Sequence, residues 1–136
     1  MDAASPSRSG SSRRVILVAG ALLGGSGIIL GAFAAHALKE VLSPQQSGWW
    51  QTAVQYQMWQ ALALLLVAAL PLRRPAVPAL GLGIGVLIFS GSLYMMALGL
   101  PRWLGAVAPV GGGLMIGGWL ALAWQALRRS RTRPGD

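Results

Sequence analysis

The chain has 136 residues, 54% of them hydrophobic and only 10% charged, which leaves too little polar surface for a soluble globular fold and places the molecule in a bilayer. Its net charge of +8 comes from eleven Lys and Arg against three Asp and Glu. Those cations stand in short segments between apolar runs and form no basic helix face, so the charge reads as membrane topology and excludes a nucleic-acid partner. With no cysteine, disulfides, thiolate metal sites and cysteine nucleophiles are excluded as well.

In chain order, residues 1–14 (MDAASPSRSGSSRR) lack apolar periodicity and predict a flexible cytoplasmic tail. Val15 to Ala35 contains no charge; at about 1.5 Å per residue it crosses a hydrocarbon core of about 30 Å, giving a first span over 15–36. A rival reading is a signal peptide, with Arg13 and Arg14 before the apolar run and Ala32-Phe33-Ala34 as its cleavage site. Against it, the run is long for a signal peptide, and Gly20, Gly24, Gly27 and Gly31 are spaced for helix packing. Intact mass separates the two.

Ser43-Pro44-Gln45-Gln46 has the form of a helix start: a capping serine, a proline where no N–H is needed, and a glutamine at the capping-box position. Trp49, Trp50, Tyr56 and Trp59 supply rings suited to the headgroup level. A short interfacial helix is therefore expected before a second span over 52–72, turning into it or running continuously with it. Arg73-Arg74-Pro75 closes that span, 76–100 forms the third, Pro101-Arg102 turns the chain, and 103–127 forms the fourth. Residues 128–136 form a basic cytoplasmic tail suited to anionic lipids.

The expected fold is all-α, a four-helix transmembrane bundle over residues 15–127. With the termini and the second loop inside, Arg8, Arg13, Arg14, Arg73, Arg74, Arg128, Arg129, Arg131 and Arg133 face Lys39 and Arg102 outside, nine cations against two. That asymmetry predicts a multi-pass membrane protein with both termini cytoplasmic. Lipid supplies no hydrophobic drive between helices, so small residues must allow close approach: Gly20, Gly24, Gly27 and Gly31, then Gly81 and Gly85, then Gly113 and Gly117 are the expected packing positions.

The segments GAFAAHALK, SPQQ, WQTAVQYQ and ALALLL, followed by FSGSLYMMALG, RWLGAVAPVGG and GW, resemble in order the domain of unknown function 423 family of small bacterial inner-membrane proteins, related to eukaryotic transmembrane protein 256. The resemblance runs from about Leu17 to Ala126 and implies a four-helix inner-membrane protein without an assigned activity. It places family motifs on Gly31, Ala32, Phe33, His36 and Leu38, on Tyr56 and Gln57, and on Ser90, Gly91, Ser92 and Tyr94. Later motifs fall on Trp103, Gly105, Pro109, Gly111, Gly112 and Trp119. The chain departs from the family with Ala34 in place of a second glycine and Gln60 in place of a histidine, which counts against a two-histidine mechanism.

Under this topology His36, Gln57, Gln60, Ser90, Ser92 and Tyr94 lie toward the outer side and form a candidate polar cluster. Such a cluster serves as a small binding site or relay, or it simply satisfies polar groups by interhelical hydrogen bonds worth about 0.6 kcal/mol each and at most about 2; the second use is favoured. One histidine without cysteine or a buried acid builds no metal site, haem would need a second axial ligand, and no nucleophile stands with a base and an orienting acid. The sequence thus points to a non-enzymatic structural or accessory protein without cofactor. Its partners are the lipid bilayer and another membrane protein or a second copy of itself. The alternative is a small-solute transporter or channel acting as a homo-oligomer; the absence of a carboxylate from every span counts against coupled export.

Overall fold

The structure, a computed structural model, describes residues 8–130. Helices α1 (Arg8–His36), α2 (Pro44–Ala69), α3 (Ala76–Ala97) and α4 (Ala108–Ser130) follow one another, with a 3-10 turn over Arg102–Ala106 ahead of the last. Each helix runs antiparallel to the one before and packs on it: α1 on α2, α2 on α3, α3 on α4, with a lighter contact between α1 and α3. The middle of this row, α2 and α3, carries most of the buried side chains, including Leu64, Val67 and Leu82.

Several boundaries differ from those the sequence predicts, each for a local reason. Residues 8–14 belong to α1 and are not a flexible tail; an established helix extends by one hydrogen bond per added residue without a new nucleation cost, and Arg13 reaches the Leu72 carbonyl (3.4 Å). Residues 1–7 of the expected tail lie outside the described residues. Of the two arrangements expected for the interfacial turn and second span, the continuous one forms, a single helix 26 residues long and so about 39 Å in length. At its start the Ser43 hydroxyl accepts from the Gln46 N–H (3.2 Å), while the Gln46 side chain accepts from the Ser43 N–H (2.9 Å). It stops at Ala69 and not at residue 72, because Pro71 forces Leu70 out of the helical region to φ −75°, ψ 140°.

The third helix likewise ends at Ala97, short of residue 100. Gly99 there takes φ +92°, which lets the Gly99 N–H reach the Met96 carbonyl (3.1 Å) and the Leu100 N–H reach that of Met95 (3.0 Å). This is a Schellman closure that an L side chain at position 99 would strain. The expected fourth span is divided: buried Leu104 anchors the 3-10 turn, and α4 starts afresh at Ala108, with Pro109 in a first turn that needs no proline N–H. Arg128 and Arg129 belong to the last turn of α4, where cations oppose the negative end of the helix dipole. Residues 131–136 of the expected basic tail lie outside the described residues.

Among the described residues, three helical segments, Gly10–His36, Ala76–Ala97 and Arg102–Arg129, are long and apolar enough to cross a membrane. Large apolar side chains point outward along them, among them Leu22, Ile29, Ile84, Ile116 and Leu120, as suits lipid and not water. The second helix is long enough but more polar, because it carries six glutamines, two of them, Gln57 and Gln60, on its buried face.

Glycines set the helix separations. A Cβ at Gly20 would meet Leu65, Ala61 and Leu64 at 3.0–3.2 Å, and those at Gly24, Gly27 and Gly31 would face Ala61, Met58 and Val54, so the whole predicted stripe on α1 faces α2. Between α3 and α4 the approach is tighter: a Cβ at Gly81 would lie 2.9 Å from Gly118 Cα, and one at Gly85 would lie 2.8 Å from the Gly111 carbonyl. On α4, however, the contacting glycines are Gly111 and Gly118. The predicted pair Gly113 and Gly117 has nothing within 4 Å of an added Cβ, because the register of α3 selects a different face of a helix that carries glycines on several.

The ends of the row differ in charge. The start of α1, the α2–α3 connection and the end of α4 gather Arg13, Arg14, Arg73, Arg74, Arg128 and Arg129. They are tied together there by the bond from Arg13 to Leu72 and by Gln125, whose side chain both accepts from the Arg74 N–H (3.1 Å) and donates to its carbonyl (3.0 Å). The opposite end carries His36, Lys39, Glu40 and Arg102, the last donating to Gln45 (3.2 Å).

Candidate functional site

The polar residues of the interior meet where α1, α2 and α3 pack together. Gln57 is the hub, facing inward on the stripe of α2 that also holds Trp50, Ala53, Gln60, Ala61 and Leu64. Its Nε2 donates to the Ser26 hydroxyl (2.8 Å) and to the Leu23 carbonyl (3.0 Å) on α1, while its Oε1 accepts from the Tyr94 hydroxyl on α3 (2.7 Å). Both ends of the amide are thereby satisfied within a side chain only 5% exposed, which is what an environment without water requires. One residue bridges three helices.

Around this hub, Trp50 stands edge-on to Tyr94, with ring centroids 4.8 Å apart, and its indole N–H donates to the Leu30 carbonyl (3.0 Å). Ser90 crosses from α3 to the Ala53 carbonyl of α2 (2.8 Å). Tyr56 packs on Phe89 (4.6 Å) and on Trp59 (5.1 Å). Trp50, one of the rings assigned to the headgroup level, is a buried member of the cluster, 4% exposed. Ser26, absent from the sequence-based set, enters because it lies on α1 opposite Gln57.

The remaining members of that set are placed differently. Ser92 is buried but donates to Ile88 of its own helix, so it joins no second element. Gln60 lies one turn along α2 from Gln57, 4% exposed, with its Oε1 lacking a hydrogen-bond partner. His36 is exposed at the last turn of α1. The structure therefore brings together Gln57, Tyr94 and, through α2, Ser90, and leaves His36 apart. Two cavities, of about 630 and about 560 Å³, lie elsewhere: one is lined by Arg73, Arg74, Trp124, Gln125 and Arg128, the other between α1 and α3 by residues such as Val15, Ala79 and Gly83.

The comparisons with known proteins agree with this architecture. The family model described as protein of unknown function (DUF423) matches residues 30–112, from the end of α1 through the clustered residues of α2 and α3 into the start of α4. The chain is 36% identical to the UPF0382 inner membrane protein YgdD of Escherichia coli over 122 residues, covering 87% of this chain and 93% of that one. It is 38% identical to a UPF0382 membrane protein of Haemophilus influenzae over 104 residues, 74% and 84% of the two chains. With a UPF0382 membrane protein of Staphylococcus haemolyticus it shares 40% identity over 113 residues, 80% and 92% of the two. No solved structure matches it. An apolar, outward-facing helical surface and matches across most of the chain lead to one conclusion: this is an integral membrane protein that belongs to the DUF423 family.

Proposed function

We propose that the protein is a non-enzymatic structural or accessory component of the bacterial inner membrane, working through another membrane protein. The observation that carries this reading is the closed hydrogen bonding of Gln57: its donors and acceptor are engaged by Ser26, Leu23 and Tyr94. Side chains committed to one another hold helices together and leave few groups to bind or relay a solute. In this reading α2 is a further span, shielded by α1 and α3, and the arginine-rich end faces the cytoplasm together with both termini. The seating of Ile16 in the core and of Gly20 against α2 supports retention of α1. A periplasm-active reporter fused after Glu40 is expected to be active and one fused after Arg74 inactive; the reverse pattern would contradict the orientation.

One observation favours a second reading, a homo-oligomeric small-solute transporter or channel: the buried, unpartnered Gln60 Oε1. A buried acceptor without a donor is costly, and a passing solute or water would satisfy it. The two readings part in one experiment. Native mass spectrometry of protein released gently from its own membranes is expected to show a complex with a second membrane protein. A bare homo-oligomer whose solute flux in proteoliposomes is abolished by Gln60→Leu would establish the transport reading instead.

A further inference from the structure

The cavity between the start of α3 and the end of α4 has a composition distinct from the rest of the surface. Arg73, Arg74 and Arg128 line it together with Trp124 and Gln125, and its volume is about 630 Å³, within the range of small-ligand sites. The only carboxylate side chain among the described residues, Glu40, lies in the α1–α2 connection at the opposite end of the row. Among the described residues, three cations thus share a cavity with no carboxylate side chain nearby.

The cations are also held. The Gln125 amide accepts from the Arg74 N–H and donates to the Arg74 carbonyl, which fixes the backbone of the α2–α3 connection against α4 and keeps Arg73 and Arg74 in the lining. The Arg128 guanidinium lies over the Trp124 ring, 4.7 Å from its centroid; stacked in this way, a guanidinium keeps its N–H edge free for a planar, two-pronged contact with a phosphate. Val77 and Ala121 complete the lining, and Val77 and Trp124 are 51% and 57% exposed toward the surroundings of the bundle. The lining is part cationic and part apolar, and the cavity sits where an apolar helix reaches its basic last turn. That combination suits an amphiphile, and a free anion would have no use for the apolar residues.

We propose that this cavity binds the phosphate headgroup of an anionic membrane lipid, with Arg73, Arg74 and Arg128 on the phosphate and Val77, Ala121 and Trp124 against the glycerol and first methylenes. Gln125 is a positioning residue. The site is independent of whether the protein acts as an accessory component or as a transporter.

The test uses the full chain in detergent, titrated with dioleoylphosphatidylglycerol and followed by native mass spectrometry. Wild type should retain one phosphatidylglycerol in preference to phosphatidylcholine, and excess inorganic phosphate should not displace it. Arg73→Gln with Arg128→Gln should weaken retention on the order of 25-fold, the factor that about 1 kcal/mol per basic residue gives. Arg14→Gln with Arg129→Gln removes the same charge from the same end at residues that do not line the cavity, and should change retention by less than about threefold because of screening. Equal weakening by both pairs would reduce the site to diffuse attraction, equal retention of phosphatidylcholine would remove the role of the arginines, and displacement by inorganic phosphate would make it a free-anion site. Each of these overturns the proposal. If the double variant does not fold, the single variants Arg73→Gln and Arg128→Gln decide, each with an expected loss of about fivefold; unchanged retention in both overturns the proposal.

Discussion

Replacing Gly111 with valine is expected to separate α3 from α4 and to cost about 3 kcal/mol, at the upper end of what overpacking usually costs. The reason is the nature of the obstacle. A Cβ at residue 111 would sit 2.5 Å from the Gly85 carbonyl oxygen and 2.5 Å from the Phe89 N, and backbone atoms inside a helix cannot swing aside as a side chain can. Gly27 supplies the contrast: its added Cβ would meet the Met58 sulfur at 2.6 Å, the end of a flexible thioether that can take another rotamer. Gly113→Val, with nothing within 4 Å, serves as the control for the loss of a helical glycine itself. Thermal unfolding in detergent should show a much lower midpoint for Gly111→Val than for Gly113→Val. Equal midpoints would mean that the Gly111 face is not the contact between these helices.

Gln57→Leu is expected to have the second-largest effect, about 2 kcal/mol. It removes three hydrogen bonds at once, to Ser26, Leu23 and Tyr94. Each such bond is worth about 0.6 kcal/mol on average in a membrane protein and at most about 1.7, and the substitution also leaves the Tyr94 hydroxyl without its acceptor. Leucine is close to glutamine in size, so the loss is one of bonding more than of packing. Tyr94→Phe deletes one bond and should cost about 1 kcal/mol. If Gln57→Leu were as stable as wild type, the hub would contribute no more than an apolar side chain in its place.

What could be read from the sequence was whatever depends on local chemistry. Ser43-Pro44-Gln45-Gln46 spells out a helix start, and the capping box forms as its residues require. The Gly20–Gly31 stripe has the period of one helix face and little competition, so its use in packing was legible, although its partner, α2, was not. The fourth helix was not, because Gly111, Gly112, Gly113, Gly117 and Gly118 offer several faces and only Gly81 and Gly85 of α3 decide among them. Trp50 was misplaced for a related reason: its amphipathic ring suits an interface, but it shares its helix face with Ala53 and Gln57, which face inward. Ser26 gave no signal, since a serine in a small-residue run becomes a partner only once α2 is laid against it. His36, the most conspicuous residue of the candidate cluster, ends up exposed because α1 ends there.

The most direct test is a double-mutant cycle on Gln57 and Tyr94, with the stability of wild type, Gln57→Leu, Tyr94→Phe and the double variant measured by reversible unfolding in the same detergent or bilayer. A structural link between α2 and α3 predicts that the double variant loses less than the sum of the single losses, by a coupling of about 1 kcal/mol. Additive losses would contradict it, because the hydroxyl and the amide would then not depend on each other and the hydrogen bond at 2.7 Å would not hold the helices together.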